Sequence, residues 1–468
     1  MNPKNSTHHI VIIGGGPGGY EAALAGRQLG AQVTLIERQG VGGAAVLTDV
    51  VPSKTLIATA TAAEEIRSAS ALGIEVGGKN AEVSVDLGSV NKRLLDLAIS
   101  QSKQMSETLT AAGVRIINGT GKLDGNHAVI VEAEGKAPER LEAKTIVLAV
   151  GARPRTLPSA QPDGERILTW TQLYNLKQLP EHMIVVGSGV TGAEFASAYL
   201  SLGSKVTLVS SRDFVLPGED LDAAVLLEDV FRRRGMNILK KTRADKVEAT
   251  ADGVKVYLQD GTVIEGSHAL MAVGSIPNTE NLGLEEAGVT VAASGHVVAN
   301  RVARTSRANV YAVGDCTDFY PLASVASMQG RTAVFHTMGD VAVPTQKRNI
   351  ASNVFTSPEI ASVGWSESEI QEGLVKGEIQ KILLSTNPRA KMQGIEDGFI
   401  KLFASSGSRT VIGGVVVGPS ASELIYPIAI AVENRLTVDE LAATYTVYPS
   451  ITGTIADAAR ALHDPNLD

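Results

Sequence analysis

The hydrophobic pattern at the start of the chain predicts two strands joined by a helix. An apolar run, HIVII, precedes a glycine-rich turn and a helical stretch, and a second apolar run, QVTLIE, ends in an acid. Gly14, Gly16 and Gly19 supply the spacing G-x-G-x-x-G, and Glu37 follows where an acid that binds a ribose hydroxyl belongs. The glycines permit a tight turn and let backbone N–H groups approach a pyrophosphate at the helix N-terminus. This segment therefore predicts a Rossmann-like dinucleotide-binding unit.

The same pattern occurs a second time, in the run HMIVVGSGVTGAEFASAYLSLGSKVTLVSSR. Gly187, Gly189 and Gly192 repeat the glycine spacing, but Ser210 stands where the acid would be and Arg212 follows two residues later. An acid there hydrogen-bonds a ribose 2′-OH, whereas an arginine accommodates a 2′-phosphate. We therefore expect NADPH to be used at least as well as NADH; an ordinary polar turn is the alternative.

Further apolar runs predict buried strands that end in glycine or in an acid. KTIVLAVGARP and HALMAVGSIPN each end at a glycine, Gly151 and Gly274, and then turn at a proline, whereas ANVYAVGDC delivers Asp315. LPSAQPDGER and TMGDVAVPTQKR are typical of connections between domains. From about residue 349 the pattern changes to antiparallel strands, such as GFIKLFAS and RTVIGGVVVG, followed by helices.

Composition and charge limit the classes of protein to which this chain can belong. Its 468 residues suffice for two to four domains, and 44% apolar and 20% charged residues are typical of a globular protein. The formal net charge of −8 favours neither a nucleic-acid partner nor an anionic membrane surface. No apolar run approaches the roughly 20 residues of a membrane span, and the first residues show no signal-peptide pattern, so we expect a cytoplasmic protein. Cys316 is the single cysteine, which excludes an intrachain disulfide.

The ordered set of motifs resembles the flavoprotein disulfide reductases, the family of dihydrolipoamide dehydrogenase and glutathione reductase. The resemblance extends over essentially the whole chain and includes both glycine motifs, PSK after the first, the GD acid and the C-terminal PEIASVG. It implies an α/β fold with two Rossmann-like dinucleotide-binding domains, for FAD and NAD(P), and an α+β C-terminal dimerisation domain that builds a homodimer. The implied bounds are 1–155 and 281–348 for the split FAD domain, 156–280 for the NAD(P) domain and 349–468 for the interface domain.

The resemblance also implies which residues line the cofactors. Glu37 would contact the adenosine ribose of FAD, and Asp315 its ribityl chain. The other FAD positions implied are Gly14, Gly16, Gly19, Gly42, Gly43, Lys54, Gly121, Gly151 and Ala323. The NAD(P) positions are Gly187, Gly189, Gly192, Ser210, Arg212 and Gly274. No metal site is expected.

The segment 41–54, VGGAAVLTDVVPSK, departs from the family at the two positions that carry its chemistry. The family pattern is G-G-T-C-x-x-x-x-C-x-P-S-K, and its two cysteines form a redox disulfide beside the flavin. Ala45 and Val50 occupy those positions here. The C-terminal histidine and glutamate that serve the disulfide are replaced by Tyr448 and Gly453. Disulfide reduction by the family's route is therefore excluded.

The residues that serve the flavin itself remain. Lys54 matches the family lysine beside the flavin, and Glu194 matches its ion-pair partner. Such a pair suits a site where negative charge develops on a reduced ring; a purely structural pair is the alternative. Cys316 is expected to be a buried small hydrophobe.

A flavin that accepts hydride without a dithiol must pass its electrons directly to another acceptor. Ala45 and Val50 would form a small apolar floor for a flat quinone, and Tyr448 from the partner chain would orient or protonate the quinone oxygen, unless it is an interface residue only. The segment 41–54, together with the run SAQPDGERILTW, is most similar to the dithiol-less members of the family, which are NAD(P)H:quinone reductases. The alternatives are a pyridine-nucleotide transhydrogenase, an NAD(P)H oxidase, and a non-catalytic FAD-binding partner or regulatory protein.

Overall fold

The computed structural model describes residues 8–75 and 83–463, so the first seven residues, which bear on the expectation about targeting, lie outside it. The strands in this part of the chain are β1 (His9–Ile13), β2 (Gln32–Glu37), β3 (Arg115–Asn118), β4 (Thr120–Leu123), β5 (Ala128–Glu132), β6 (Glu139–Glu142), β7 (Thr145–Leu148), β8 (Ala152–Pro154), β9 (Ile167–Leu168), β10 (His182–Val186), β11 (Lys205–Val209), β12 (Asn237–Leu239), β13 (Ala244–Ala249), β14 (Val254–Leu258), β15 (Val263–Gly266), β16 (His268–Met271), β17 (Ser275–Pro277), β18 (Val310–Ala312), β19 (Ser352–Val354), β20 (Glu359–Gly364), β21 (Gly377–Leu383), β22 (Phe399–Ser405) and β23 (Val411–Gly418). The helices are α1 (Pro17–Gln28), α2 (Gly43–Leu47), α3 (Val50–Ser68), α4 (Leu87–Ala111), α5 (Val190–Leu202), α6 (Leu221–Arg233), α7 (Ala323–Met338), α8 (Glu367–Gln371), α9 (Pro388–Met392), α10 (Ala421–Asn434), α11 (Val438–Ala443) and α12 (Gly453–Ala461). Within the described ranges, none of these helices is long and apolar enough to cross a membrane.

The first predicted strand lies at the centre of a parallel sheet with the order β18-β7-β1-β2-β3. Ile10, Val11 and Ile12 of β1 are fully buried, because both faces of the sheet are covered. Residues of α1 and α7 pack on one face, and the antiparallel sheet β4-β5-β6 packs on the other. The continuous apolar run in the sequence is thus a consequence of two-sided burial.

A second parallel sheet, with the order β12-β11-β10-β16-β9, repeats this arrangement. Strands β13, β14 and β15 form an antiparallel sheet whose apolar residues pack against it. In the first sheet Ile13 pairs with Ile36, and in the second Val186 pairs with Val209. The next residue on each second strand is therefore the equivalent position in the two sheets, and it is Glu37 in one and Ser210 in the other.

The C-terminal part forms an antiparallel sheet with the order β19-β20-β23-β22-β21. Its core takes Ile425, Ile428 and Ala431 from one side of α10, which is the spacing of one helical face. The predicted fold class is confirmed: two Rossmann-like dinucleotide-binding domains are followed by an α+β domain.

The chain divides into two compact units. The first contains Met1–Thr55, Asn91–Arg155 and Gly274–Gln346, and with them the first parallel sheet. The second contains Leu56–Val90, Thr156–Val273 and Lys347–Asp468, and with them the second parallel sheet and the C-terminal sheet. The four domain bounds expected from the sequence stay a prediction.

Within the second unit, a buried lysine ties the start of α6 to the C-terminal sheet. The Nζ of Lys401, on β22, lies 2.9 Å from carboxylate oxygens of Asp220 and Asp222, and it also contacts Glu367. The Lys401 side chain is 2% exposed. In the described part of the chain, these three carboxylates are the one acidic group close enough together to hold a metal ion, and the ammonium lies among them.

The contact between α1 and α7 generates a prediction about stability. A Cβ added at Gly330 would lie 2.1 Å from the carbonyl oxygen of Gly18, so Gly330→Ala must push the two helices apart. We expect a loss of about 1–3 kcal/mol of stability, typical of overpacking, measured as a lower Tm in thermal unfolding. Gly407→Ala is the matched control, because a Cβ at Gly407 meets no atom within 4 Å. Equal Tm values for the two variants would contradict the prediction.

Candidate functional site

The first glycine turn is closed by contacts that only glycine permits. Gly14 has φ +101°, and a Cβ there would lie 2.2 Å from the carbonyl oxygen of Ala149. A Cβ at Gly19 would lie 1.9 Å from the carbonyl oxygen of Gly14. Gly16 differs, because it is the N-cap of α1 and a Cβ there meets no atom within 4 Å. Packing thus explains Gly14 and Gly19, while Gly16 leaves open space at the helix N-terminus, where a phosphate binds.

Glu37 ends β2 beside this turn. Its Oε2 accepts a hydrogen bond from the Gly15 N–H (2.6 Å), and its Oε1 accepts one from the Gln39 N–H (2.7 Å). The N–H of Gly42 donates to the Gly15 carbonyl (2.7 Å), and a Cβ at Gly43 would lie 3.0 Å from the Cα of Gly16. The start of segment 41–54 therefore lies directly against the glycine turn, as expected for residues that share one cofactor.

Asp315 follows β18 at the same edge of the sheet. It lies in the short 3₁₀ helix Gly314–Cys316, and burial raises the pKa of its carboxyl above the usual value. The turn is held by Gln329, whose side-chain oxygen accepts the Gly314 N–H (2.8 Å). Ala323 is the first residue of α7. Gln329 was not among the residues expected from the sequence, because only the helix brings it back to the strand end.

Gly121 has a packing role that is sufficient to explain it. A Cβ there would lie 3.2 Å from side-chain atoms of Ile13 and Ile36, so the glycine lets β4 lie close to the parallel sheet. Gly151 and Gly274 have φ values of +65° and +92° and open space beside them. They flank the antiparallel pair β8–β17, where Asn278, also missed from the sequence, donates through its side chain to the Val150 carbonyl (3.0 Å).

Ala45 and Val50 lie on two successive helices of segment 41–54. Ala45 is on α2 and Val50 begins α3; both are half-buried. Lys54 follows Val50 by four residues on α3, and therefore lies on the same face of the helix, one turn further along. Lys54 and one of the two positions at which the family has a cysteine therefore lie on the same face of α3.

The single cysteine has no place in this chemistry. Cys316 is fully buried, and its Sγ contacts the Val313 and Leu148 carbonyls at 3.3 and 3.6 Å. Burial raises the pKa of its thiol to about 12. The thiolate is the reactive form of cysteine, so Cys316 is a buried small hydrophobe, as expected.

The second glycine turn repeats the geometry of the first. Gly187 has φ +113°, and a Cβ there would lie 2.1 Å from the Ala272 carbonyl oxygen. A Cβ at Gly192 would lie 1.9 Å from the Gly187 carbonyl oxygen, while Gly189, the N-cap of α5, has open space. The chain therefore contains two helix N-termini that are built in the same way for a pyrophosphate.

The two turns differ at the end of the second strand. Ser210 is fully buried, and its Oγ lies 2.7 Å from the Oγ of Ser188 and 3.1 Å from the backbone N of Arg212. Arg212 itself is exposed. Ser188 was not expected from the sequence. It lies between two glycines of the G-x-G-x-x-G motif, and the serine at the acid position could have indicated a polar partner there.

Glu194 lies on α5, two residues after Gly192, and is 4% exposed. Its Oε1 accepts a hydrogen bond from the Phe355 N–H (2.9 Å). Nearby, the Ser357 N–H donates to the Oγ of Ser197 (3.0 Å), so the chain before β20 is held along α5. A buried carboxylate is stable only when it is hydrogen-bonded or paired, and this backbone contact supplies part of that stabilisation.

Tyr448 lies in the chain between α11 and α12, and is 82% exposed. Its neighbours Tyr445 and Val447 are exposed as well, and Gly453 begins α12. A cavity of about 500 Å³ lies beside this chain and is lined by residues that include Pro427 and Ile455. Three large exposed apolar side chains in four residues are unusual for a surface that faces only water.

Comparison with known proteins agrees with this geometry. Residues 8–330 match the family described as pyridine nucleotide-disulphide oxidoreductase, and residues 350–459 match its dimerisation domain. An NAD(P)H dehydrogenase (quinone) of Mycobacterium tuberculosis is 50% identical over 466 residues, covering 97% of this chain and 94% of that protein. A dihydrolipoyl dehydrogenase of Chlamydia muridarum is 32% identical, covering 97% of each chain. The chain therefore belongs to the pyridine nucleotide-disulphide oxidoreductase family.

Solved structures show the same fold. The crystal structure of LpdA from Mycobacterium tuberculosis has a TM-score of 0.94 and 49% identity, and it covers 98% of this chain and 100% of that one. The HOCl-induced flavoprotein disulfide reductase RclA from Escherichia coli has a TM-score of 0.85 at 23% identity, covering 97% and 99%, which supports the fold alone.

The protein is an oxidoreductase whose family uses FAD and a pyridine nucleotide. Its residues fit both cofactors, since each glycine turn leaves open space at a helix N-terminus, which is where a phosphate binds. The first turn lies beside Glu37, and the second beside Ser210. The roles of the individual site residues stay predictions.

Lys54 generates the first functional prediction. We expect Lys54→Met to impair flavin reduction by NADPH more than FAD retention, because the ammonium would stabilise charge on the reduced ring. Loss of such a donor typically costs about 10²–10³-fold in rate, measured by stopped-flow absorbance. Glu194→Gln should slow the same step. Lys103→Met is the matched control, because Lys103 is an exposed lysine on α4. If Lys54→Met and Glu194→Gln both reduce flavin at the parental rate, Lys54 and Glu194 have a structural role only.

Arg212 generates the second. Because Ser210 removes the carboxylate that would repel a 2′-phosphate, we expect Arg212→Ala to raise KM for NADPH about tenfold or more, as loss of a charge-assisted hydrogen bond predicts. The KM for NADH should be nearly unchanged, and Ser210→Glu should shift preference toward NADH. The measurement is kcat/KM for both nucleotides. If Arg212→Ala keeps the parental ratio of kcat/KM for NADPH to kcat/KM for NADH, Arg212 does not contact the 2′-phosphate.

Proposed function

We propose that this protein is an FAD-dependent NAD(P)H:quinone oxidoreductase that passes two electrons directly to a quinone without a redox disulfide. One observation carries the proposal. Ala45 and Val50 stand at both cysteine positions of segment 41–54, while the two nucleotide turns beside and beyond it are intact. The relative at 50% identity, named NAD(P)H dehydrogenase (quinone), supports the choice of acceptor.

In the overall reaction, one quinone receives the equivalent of one hydride from NAD(P)H and one proton from solvent. NAD(P)H is oxidised to NAD(P)⁺, and the quinone takes two electrons and two protons to become a hydroquinone. Bound FAD would supply the acceptor for the hydride and the donor of both electrons to the quinone. The chain's contribution is to hold the nicotinamide nucleotide at the second glycine turn and to stabilise negative charge with Lys54.

The small side chains at the vacated positions explain why a flat acceptor is favoured. An alanine and a valine stand where the family has two cysteines. Val50 lies on the face of α3 that also carries Lys54, and Ala45 lies on the preceding helix, α2. An apolar ring gains from burial there, and a carbonyl oxygen on its rim can receive a proton. Cys316 cannot substitute for the lost pair, since a single buried thiol with a raised pKa forms no dithiol.

Tyr448 is proposed as the residue that orients or protonates the quinone oxygen across a homodimer. The chain carries the family's dimerisation domain, and Tyr448 lies within it on an exposed segment. Its phenol is a suitable proton donor for a hydroquinone product. An interface contact without a catalytic role is the alternative.

Two other functions are less well supported. A transhydrogenase or an oxidase would use the same cofactors, and the acceptor alone distinguishes them from a quinone reductase. A non-catalytic FAD-binding protein would not need the second glycine turn, whose Gly187, with a positive φ, and closely packed Gly192 match Gly14 and Gly19 of the first turn. A cytoplasmic location stays a prediction from the sequence.

The test is an acceptor comparison on the FAD-loaded protein. We expect NAD(P)H-dependent reduction of a benzoquinone and a naphthoquinone, and no turnover of lipoamide or glutathione disulfide, because no dithiol is present. Steady-state kcat/KM for each acceptor, with NAD⁺ and air as further acceptors, provides the measurement. Cys316→Ala is the matched control and should leave quinone turnover unchanged. Disulfide turnover comparable with quinone turnover would refute the proposal, and faster NAD⁺ or oxygen reduction would favour the alternatives.

A further inference from the structure

The surface beside Ser210 carries a second cation that the sequence pattern does not reveal. We propose that Lys241 is a specificity-determining residue that binds the 2′-phosphate of NADPH, and that Asp213, its ion-pair partner, competes with that phosphate. The inference deepens the nucleotide preference within the proposed function. It assigns to the Asp213–Lys241 pair the balance between NADPH and NADH.

The position of the 2′-phosphate follows from the strand register. In the first sheet the last pair between the two strands is Ile13 with Ile36, and in the second it is Val186 with Val209. Glu37 and Ser210 each follow that pair directly, so the two residues occupy equivalent positions. An acid at this position would reach the ribose 2′-OH. The Ser210 hydroxyl is instead buried against Ser188, at 2.7 Å, which leaves the 2′ position without a carboxylate.

Main-chain hydrogen bonds bring Lys241 to this position. The Ser210 N–H donates to the Leu239 carbonyl (2.8 Å), and the Thr242 N–H donates to the Ser210 carbonyl (3.0 Å). The Lys241 N–H donates to the Arg212 carbonyl (3.2 Å). The ends of β11 and β12 are therefore tied together, so that Lys241 lies beside Arg212 although 28 residues separate them in the chain.

The turn that places Lys241 is strained. Lys241 has φ +59°, in the left-handed region that favours glycine. A non-glycine residue adopts such a conformation only rarely, where its surroundings impose it. Here the three hydrogen bonds at Ser210, Arg212 and Thr242 impose it.

The contact of Lys241 with Asp213 is one that a phosphate can replace. Its Nζ lies 2.8 Å from Oδ1 of Asp213, and the two side chains are 74% and 66% exposed. Exposed ion pairs are weak, whereas a phosphate offers up to two charges and three acceptor oxygens. The hydrogen bond from Lys241 also holds the pKa of Asp213 below its usual value, so at neutral pH the charged carboxylate competes with an incoming phosphate for the Lys241 ammonium.

The neighbouring lysine shows the contrast. Lys240 donates to Oε2 of Glu228 (3.0 Å) and lies 4.8 Å from the centre of the Phe214 ring. Glu228 is buried and also accepts the Val215 N–H at 2.9 Å. Lys240 therefore stabilises the chain after β11, and of the two lysines Lys241 is the one whose ammonium is exposed to a ligand.

The experiment measures binding to the FAD-loaded protein by calorimetry, with NADP⁺, 2′,5′-ADP and NAD⁺ as ligands. We expect Lys241→Met to raise the Kd for NADP⁺ and 2′,5′-ADP about tenfold, as loss of a charge-assisted contact predicts, and to leave NAD⁺ unchanged. Asp213→Asn should lower the Kd for NADP⁺ about threefold at low salt, and this gain should vanish in the Lys241→Met background. Lys255→Met and Glu265→Gln, which break a similar exposed ion pair between β14 and β15, are the matched controls.

An unchanged Kd for NADP⁺ in Lys241→Met, or weaker NADP⁺ binding in Asp213→Asn, would overturn the inference. NADH-driven quinone reduction, measured on every variant, separates the two claims. If the Kd values change as expected but no quinone is reduced, the proposed function fails alone. If quinone is reduced with NADH but NADP⁺ does not bind, the inference about Lys241 fails alone.

Discussion

The tight turn from strand to helix in each nucleotide site is the constraint on which the rest of the structure depends. In both turns a Cβ on the last glycine would lie 1.9 Å from the carbonyl oxygen of the first, at Gly19 and at Gly192. No side chain fits there, so strand end, helix N-terminus and the end of the next strand are held in the same arrangement twice. The positive end of each helix dipole then faces open space beside Gly16 and Gly189. The two sites share this backbone and differ in a few side chains around it.

Those side chains differ most at the position next to the second strand. Glu37 is a carboxylate that accepts hydrogen bonds from three backbone N–H groups, and it places a negative charge where we expect a ribose to bind. Ser210 is neutral and buried, and the charge around it comes from exposed residues on neighbouring turns. We therefore expect the same backbone to provide one site suited to a ribose hydroxyl and another that tolerates a 2′-phosphate. This difference would let one chain bind two different dinucleotides, each at its own site.

Segment 41–54 shows how chemistry changes while the scaffold is kept. Its glycines still lie against the first turn, and its lysine still occupies the first turns of α3, but the two sulfur positions carry an alanine and a valine. Their effect on electron transfer is complete, because neither side chain accepts electrons. The remaining cysteine is buried elsewhere and does not compensate.

The sequence by itself determined the fold class, both nucleotide turns and the loss of the dithiol, because each depends on residues close together in the chain. Glycine spacing, a continuous apolar run and the absence of sulfur are local properties. The tertiary structure alone decided the contacts made between distant segments: Ser188 with Ser210, Phe355 with Glu194, and Lys241 beside Arg212. These contacts arise where strand ends and loops meet after folding, and a polar side chain in a loop has no periodic pattern that identifies its partner. Local sequence pattern therefore predicts which cofactors this chain can bind. Tertiary packing determines which polar and charged side chains lie beside each cofactor site.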